Sequence, residues 1–439
     1  MQDFVHLHVH TYYSILDGQS PIKKLVTKAI DNGMRGMAIT DHGDMFGIKE
    51  FFDICNDVNS KRKKDGLDPF KPIFGCEMYV ARRGMAKKDQ QHIDRGGWHL
   101  IVLAKNMKGY RNLIKLVSNS WVDGFYGRPR TDHADLEKYH EGLIVCSACI
   151  AGEVPSLILK DDIEGARKAI EWHKSVWGDD YYLELQRHEV KDPNQRANRE
   201  TFPLQQKANK VLIELAREYG VKLICTNDAH FVDEENAEAH DHLLCISTGK
   251  DLDDPSRMLY SKQEWFKTRE EMNEIFSDIP EALANTAEIL DKVETYNIES
   301  DPIMPFFPIP EEFGTEEEWR GRFSEDDLFR EFTSDENGAN PLPQEDAQKK
   351  IKKLGGYDKL YRIKFEADYL GKLAYEGASR LYGTDYEEIP YAKALQPDEL
   401  SEWANGHGIS KEVDERVRFE LHIMKTMGFP GYFLIVQDF

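Results

Sequence analysis

The chain has 439 residues and carries 57 Lys and Arg against 79 Asp and Glu, a net charge of −22 at pH 7. A hydrophobic content of 40% with 11% aromatics supports sizeable cores, excludes global disorder, and at this length points to two or three domains. The acidic balance argues against nucleic-acid binding over the whole surface, and no apolar run approaches the roughly 18–20 residues of a membrane span. The acid is uneven, however: Glu311 to Asp346 holds 13 Asp and Glu against three Arg, so a basic contact surface elsewhere stays open.

The opening MQDFVHLHVHTYYS lacks a basic n-region followed by an apolar stretch, so no secretory leader is expected there. With no export signal, the six cysteines read as reduced thiols in a cytoplasmic protein. Short β-rich runs then alternate with helical stretches up to about residue 230. The runs are Phe4–His8, Gly36–Thr40, Pro72–Val80, Leu100–Ala104, Leu143–Cys146, Tyr181–Leu185 and Lys222–Thr226. Amphipathic segments such as Pro21–Asn32, Tyr110–Ser118, Ile163–Val176 and Gln205–Tyr219 lie between them. Seven such runs with intervening helices predict an α/β fold, either a parallel sheet or a closed barrel, with chemistry gathered at the C-terminal ends of the strands. Residues 231–298 read as helices. A proline-rich boundary and an exposed acidic excursion follow, and helical periodicity returns from about Gln344. The last residues, GFPGYFLIVQDF, stop within an apolar run, so a longer parent chain is expected.

Metal-capable residues cluster at the strand exits. The first run ends in His8 and His10, two apart and therefore on one face. Asp17 follows in a loop before Gly18, the second run ends in Asp41–His42, the third in Glu77, the fifth leads to Cys149, and the seventh ends in Asp228 and His230. His99 breaks the pattern because it precedes its run. Each piece has an ordinary alternative: an HxH is weak alone, Asp41 is a good helix N-cap, and Cys146 of the Cys146/Cys149 pair sits inside an apolar strand and reads as core. The conjunction is what points to metal. Asp17, Glu77, Asp228 and a Cys149 thiolate bring four negative charges, and His8, His10, His42, His99 and His230 bring none when neutral. Nine ligands suit about three divalent ions with one bridging carboxylate. The resulting net positive, concave centre suits a phosphate group, with hydrolysis by metal-bound hydroxide and no separate side-chain nucleophile. The five imidazoles and one thiolate form a softer set than magnesium prefers, so zinc or manganese is expected before magnesium.

The segments FVHLHVHTYYSILDG, AITDHGDMFG, GCEMYV, HLIVLAKNMKGYRNLIKL, GRPRTDH, GLIVCSACIAGEVP and TNDAHF resemble the PHP (polymerase and histidinol phosphatase) domain found at the N-terminus of bacterial DNA polymerase III alpha subunits. MGFPGYFLIVQDF resembles the start of that family's palm region. The resemblance implies a distorted, seven-stranded, TIM-like β/α barrel over residues 1–285. A smaller, mostly helical α+β palm-proximal region would follow over 286–439, with the acidic insertion at about 311–346. It also implies a trinuclear site: His8, His10, Glu77 and Asp228 on one ion; Glu77, His99 and Cys149 on a second; Asp17, His42 and His230 on a third. Intact sites in the family are associated with 3′–5′ exonuclease activity within a DNA-directed DNA polymerase, a nucleotidyltransferase of DNA replication. The implied partners are a DNA primer strand, a proofreading exonuclease subunit and other replicase subunits. The family's nucleotide-binding loop and palm aspartates are not found here, so polymerisation is not expected of this segment alone.

Two other readings stay open: a free-standing phosphatase for a small phosphate ester, and a non-catalytic, metal-stabilised platform for a proofreading subunit. Arg128 and Arg130 are candidate phosphate contacts, as is the basic loop containing Arg82, Arg83, Lys87, Lys88 and Arg95, which could equally be solvated. Tyr12, Tyr13 and Tyr126 could stack on a base or simply pack.

Overall fold

The computed structural model describes residues 1–190, 192, 200–300, 305–391 and 394–439. Residues 301–304 of the proline-rich boundary lie outside the described residues. The chain divides into two compact units, Met1–Glu299 and Ser300–Phe439.

The first unit is a curled mixed sheet wrapped in helices. Its strands are β1 (Gly36–Ile39), β2 (Lys71–Val80), β3 (Trp98–Ala104), β4 (Arg130–Thr131), β5 (Leu143–Cys146), β6 (Tyr181–Leu185) and β7 (Lys222–Cys225). Along the sheet the order is β1-β2-β3-β5-β6-β7, with the two-residue β4 beside β2. All pairings are parallel except those of β3, which runs antiparallel to both β2 and β5. Both faces of the sheet are covered, so the strands read as continuous apolar runs rather than alternating ones.

The stretch Phe4–His8, expected as the first strand, is extended and buried but forms no regular ladder. It fills the gap between β1 and β7 nonetheless. His6 and Val9 carbonyls accept from Ala38 and Thr40, both at 2.8 Å, and Ala229 bonds His8 and His10 at 3.2 and 2.8 Å. Side-chain hydroxyls replace the other ladder partners: Thr286 Oγ1 accepts from Val5 N and Thr40 Oγ1 from Val9 N. The N-terminal segment therefore closes the curl through strand ends and hydroxyls.

The helices lie where the amphipathic segments predict, including Ile22–Asp31, Met107–Val122, Ile163–Trp177 and Phe202–Tyr219. Asn106 and Asp162 cap two of them by accepting from the backbone N–H three residues on. Among the described residues, no helix is long and apolar enough to cross a membrane.

One buried cation marks the closing side of this unit. Lys267 is only 3% exposed, and its Nζ lies 3.1 Å from the centre of the Trp265 ring. Burial outweighs the nearby Glu264, Glu271 and Glu234 and pushes its pKa down from 10.5 to about 7. Between those values the unfolded chain binds a proton that the folded chain does not, so stability rises with pH. We expect Lys267→Met to flatten a slope approaching about 1.4 kcal/mol per pH unit above pH 7, as read by denaturant titrations at pH 7 and 9.

The second unit is helical throughout its described residues. Its spine is the helix Tyr357–Tyr382, with Glu316–Arg322, Glu325–Thr333, Gln344–Lys353, Pro397–Gly406, Lys411–Thr426 and Pro430–Asp438 around it. The acidic stretch 311–346, expected as an exposed excursion, supplies part of the core instead. Phe313, Trp319, Leu328 and Phe332 are all buried, and the Trp319 N–H donates to Asp368 at 2.8 Å. The acids occupy the first turns and outer faces: Thr315 and Ser324 each open a helix with a reciprocal capping box, to Glu318 and Asp327. High charge density here reflects two short, dipole-matched helices whose apolar sides are fully used.

Candidate metal centre

The nine residues singled out from sequence converge at one end of the curled sheet. Glu77, at 1% exposure, stands in the middle. Its Oε1 is 2.7 Å from His99 Nδ1 and 3.3 Å from His8 Nε2, and its Oε2 is 2.6 Å from His42 Nδ1 and 3.5 Å from His10 Nε2. Asp228 Oδ1 lies 3.0 Å from His8 Nε2, 3.3 Å from His10 Nε2 and 3.6 Å from His230 Nδ1. Asp17 Oδ2 is 2.9 Å from His42 Nε2 and 4.0 Å from His230 Nε2. The Cys149 thiol completes the group, 3.6 Å from His99 Nδ1 and 4.0 Å from Glu77 Oε1.

The topology explains the one apparent misfit. Because β3 runs against its neighbours, its first residues lie at the end where the other strands finish, and His99 pairs across from Tyr79, two residues beyond Glu77. Local backbone features aim the loop-borne groups. A Cβ on Gly18 would sit 2.0 Å from the Thr11 carbonyl oxygen, and one on Gly152 would sit 2.0 Å from that of Ser147, so the turns presenting Asp17 and Cys149 close only with glycine. Asp228 adopts φ +48°, a left-handed conformation that Asp tolerates better than most residues, at a cost of order 1 kcal/mol.

A surrounding layer fixes the imidazoles. Glu184 Oε1 is 2.7 Å from His8 Nδ1 and is itself bonded by Thr226 and Gln186. Ser14 Oγ holds His10 Nδ1 at 2.9 Å and donates to Asp41. The Tyr260 hydroxyl donates to Asp17 at 3.1 Å and sits 3.2 Å from His230 Nε2. Such partners set tautomer and orientation in metal sites. Asp41 is not a helix cap: it is buried and takes the N–H and hydroxyl of Thr11, while the next helix starts only at Ile48. Apart from Asp41, which stood beside His42 at a strand exit, none of these partners was singled out from sequence. Glu184 alone carried a signal, an acid inside the apolar run YYLEL. His6, which shares the alternation of His8 and His10, instead bonds the Lys267 carbonyl and packs on Phe266.

The side chains of the cluster shift one another's charge states. Burial alone would raise the Glu77 pKa, but His99, His42 and His8 hold it well below the usual carboxylate range; His8 and His230 do the same for Asp228. Burial alone would depress His8, yet Asp228, Glu184 and Glu77 raise it well above its ordinary value. Burial beside His42 and His230 pushes His10 down to about 3, and burial with Glu77 and Asp228 nearby raises the Cys149 thiol. His8 Nε2, His10 Nε2, His42 Nδ1, Glu77 Oε2 and Asp228 Oδ1 are all buried and crowd to 2.6–3.5 Å of one another, yet none finds a well-aligned hydrogen bond. Buried donors and acceptors that face one another in poor alignment are costly, whereas cations at about 2.0–2.2 Å from each would satisfy them together. Three ligand triplets can each close on one point: His8/His10/Asp228, His10/His42/His230 and His42/Glu77/His99. The donor set therefore fits divalent metal.

The candidate phosphate contacts separate. Arg128 is exposed, with its guanidinium 5.6 Å above the Tyr79 ring, which in turn lies 5.1 Å from His99. Arg130 is fully buried and donates to the carbonyls of Gly124, Lys87, Asp94 and Met85. Four of its five N–H groups are taken up by backbone carbonyls and none of it is exposed, so it does not serve as a phosphate contact. In the basic loop, Arg83 pairs with Asp89 and Asp94, and Arg82 and Lys88 donate to the carbonyls of Ile93 and Asp123. Tyr12 and Tyr13 both donate to Glu50, and the Tyr126 ring lies 5.5 Å from the Arg130 guanidinium.

Comparison with known proteins places these features in context. The PHP domain family matches residues 6–188, and the family described as the bacterial DNA polymerase III alpha NTPase domain matches residues 349–439. DNA polymerase III subunit alpha of Borreliella burgdorferi is 37% identical over 438 residues, 99% of this chain and 30% of that protein. The Thermus aquaticus subunit is 33% identical over 447 residues, again 99% of this chain and 33% of that protein. The chain thus spans about a third of the length of these relatives. Among solved structures, a histidinol phosphate phosphatase from Lactococcus lactis, complexed with zinc, L-histidinol and phosphate, is 13% identical with a TM-score of 0.26, covering 57% of this chain and 95% of that one.

Proposed function

Because this chain belongs to the DNA polymerase III alpha-subunit family, we propose that it is the PHP-bearing N-terminal region of a cytoplasmic replicative polymerase whose sheet mouth hydrolyses phosphodiesters. The reading rests on one observation, the five buried donor atoms that crowd against one another around Glu77 without a well-aligned hydrogen bond. His8, His10, Glu77 and Asp228 would hold one ion, Glu77, His99 and Cys149 a second, and Asp17, His42 and His230 a third, with zinc or manganese matching the donors. Ions bound there would supply Lewis acidity and ionise a water near neutral pH, so no side-chain nucleophile is needed.

The chain's own residues do the remaining work. Glu184, Ser14 and Tyr260 hold His8, His10 and Asp17 or His230 in their orientations before any substrate arrives. Arg128, beside Tyr79 at the rim, would take an outer phosphate of the DNA strand and set how far the 3′ end enters. Replicase subunits, including a proofreading exonuclease, would be partners of the longer protein.

The test is hydrolysis by the zinc- or manganese-loaded chain of a 3′-labelled single strand, alongside a small phosphate monoester. Stepwise release of 3′ nucleotides that a chelator abolishes is the expected result. Turnover of the monoester alone would identify a small-molecule phosphatase. Full metal content with neither activity would leave the site as a structural platform and overturn the catalytic reading.

A further inference from the structure

A second cluster of metal-capable side chains lies outside the centre around Glu77. His133 opens the helix His133–Lys138, Glu153 opens the helix Glu153–Leu159, and His173 lies near the end of the helix Ile163–Trp177. His133 Nε2 is 2.9 Å and His173 Nε2 is 3.3 Å from the same oxygen, Glu153 Oε2. Two imidazoles from separate helices thus turn the same nitrogen toward one carboxylate oxygen.

We propose that His133, Glu153 and His173 form a peripheral site for one divalent transition-metal ion, with zinc best matched to the donors. This site is distinct from the centre at the sheet mouth and does not depend on that reading. Ligands about 2.0–2.1 Å from a tetrahedral ion stand roughly 3.3 Å apart, and the two distances here are of that size. The three ligand atoms all lie within 4.8 Å of one another.

The ligands are held in place before any ion arrives. The His133 ring stacks on Trp172 at 3.9 Å, and the His173 ring lies parallel to Tyr181 at 4.8 Å. This corner of the fold is also short of hydrogen bonds: His173 Nδ1, the Tyr181 hydroxyl and the Trp177 N–H are buried without partners. Hydrogen bonding within the triad does not relieve that shortage. Access is available from one side, because the His133 side chain is 38% exposed while Glu153 and His173 are 10% and 1% exposed. Two histidines and one glutamate leave a fourth position facing that side for water or an external ligand.

The location gives the ion a role. Gly152, just before Glu153, bridges to His99, and the Ala151 carbonyl accepts from the His99 N–H. An ion on Glu153 would tie three helices together and brace the turn that carries Cys149.

The experiment is zinc stoichiometry on the full chain by elemental analysis after equilibrium dialysis. His133→Ala should lower the count by one ion per chain relative to wild type. The same difference of one ion should separate Glu77→Gln, which removes the ions sharing that carboxylate, from the Glu77→Gln/His133→Ala double variant. If the centre at the mouth binds no metal at all, wild type should still hold one zinc and His133→Ala none, so the two readings fail separately. In unaltered protein, the Nε2 resonances of His133 and His173 should both respond to the same zinc equivalent in nitrogen-15 spectra. An unchanged count in His133→Ala, or Nε2 resonances that ignore zinc, overturns the proposal; the spectra decide it if the variant does not fold.

Discussion

Replacing Glu77 by glutamine is expected to remove the two ions it would bridge at the sheet mouth and to lower phosphodiester hydrolysis by at least about 10³-fold. One carboxylate reaches His8, His10, His42 and His99 within 3.5 Å, with Cys149 at 4.0 Å. Loss of a partner that merely orients a metal-binding histidine already costs about 10–100-fold in affinity or activity, and Glu77 is positioned to bridge two ions rather than to orient one. The amide also turns an N–H₂ group toward imidazole nitrogens that would need their lone pairs for metal. Elemental analysis and the strand-degradation assay read the two effects, with circular dichroism as the check on folding. A variant that keeps its metal and its turnover would show that Glu77 only neutralises neighbouring histidines.

Arg130→Ala is expected to destabilise the first unit by about 3–5 kcal/mol, because it leaves carbonyls of three separate loops without their shared donor in a buried space. Arg128→Ala should change stability by no more than about 0.5 kcal/mol, as an exposed substitution does, and should raise KM for the DNA strand. The two arginines of one GRPR motif thus separate into a buried support and the proposed substrate contact. Denaturant midpoints and steady-state kinetics on both variants test that division. Equal effects on stability would contradict it.

Much of the site was legible because metal ligation demands particular residue types, and strand exits bring them together from distant parts of the sequence. His8, His10, Glu77 and Asp228 stand near the ends of apolar segments, where a reader of the sequence can find them. His99 was harder to place because strand direction is a tertiary property: only the antiparallel setting of β3 brings its first residues to the mouth. Phe4–His8 looked like a strand because burial and β-branching are all that a sequence window shows, whereas its hydrogen bonds go partly to Thr40 and Thr286 hydroxyls. Arg130 illustrates a different limit. An arginine closing a GRPR stretch reads as an exposed contact, and nothing local reveals that four carbonyls from elsewhere converge on it. The acidic stretch misled for a related reason: charge density suggested solvation, but Leu328 and Phe332, four apart on one helix, and Trp319 on the helix before it claim the buried side.

Crystals of the metal-loaded chain measured at the zinc and manganese absorption edges test the central claim most directly. Anomalous peaks are predicted about 2.0–2.3 Å from Glu77, Asp228, Asp17, Cys149 and the five surrounding histidines, with one peak shared through Glu77. A mouth without peaks, in which His8 and His42 contact only Glu77, Glu184, Asp17 and Asp228, would contradict the account.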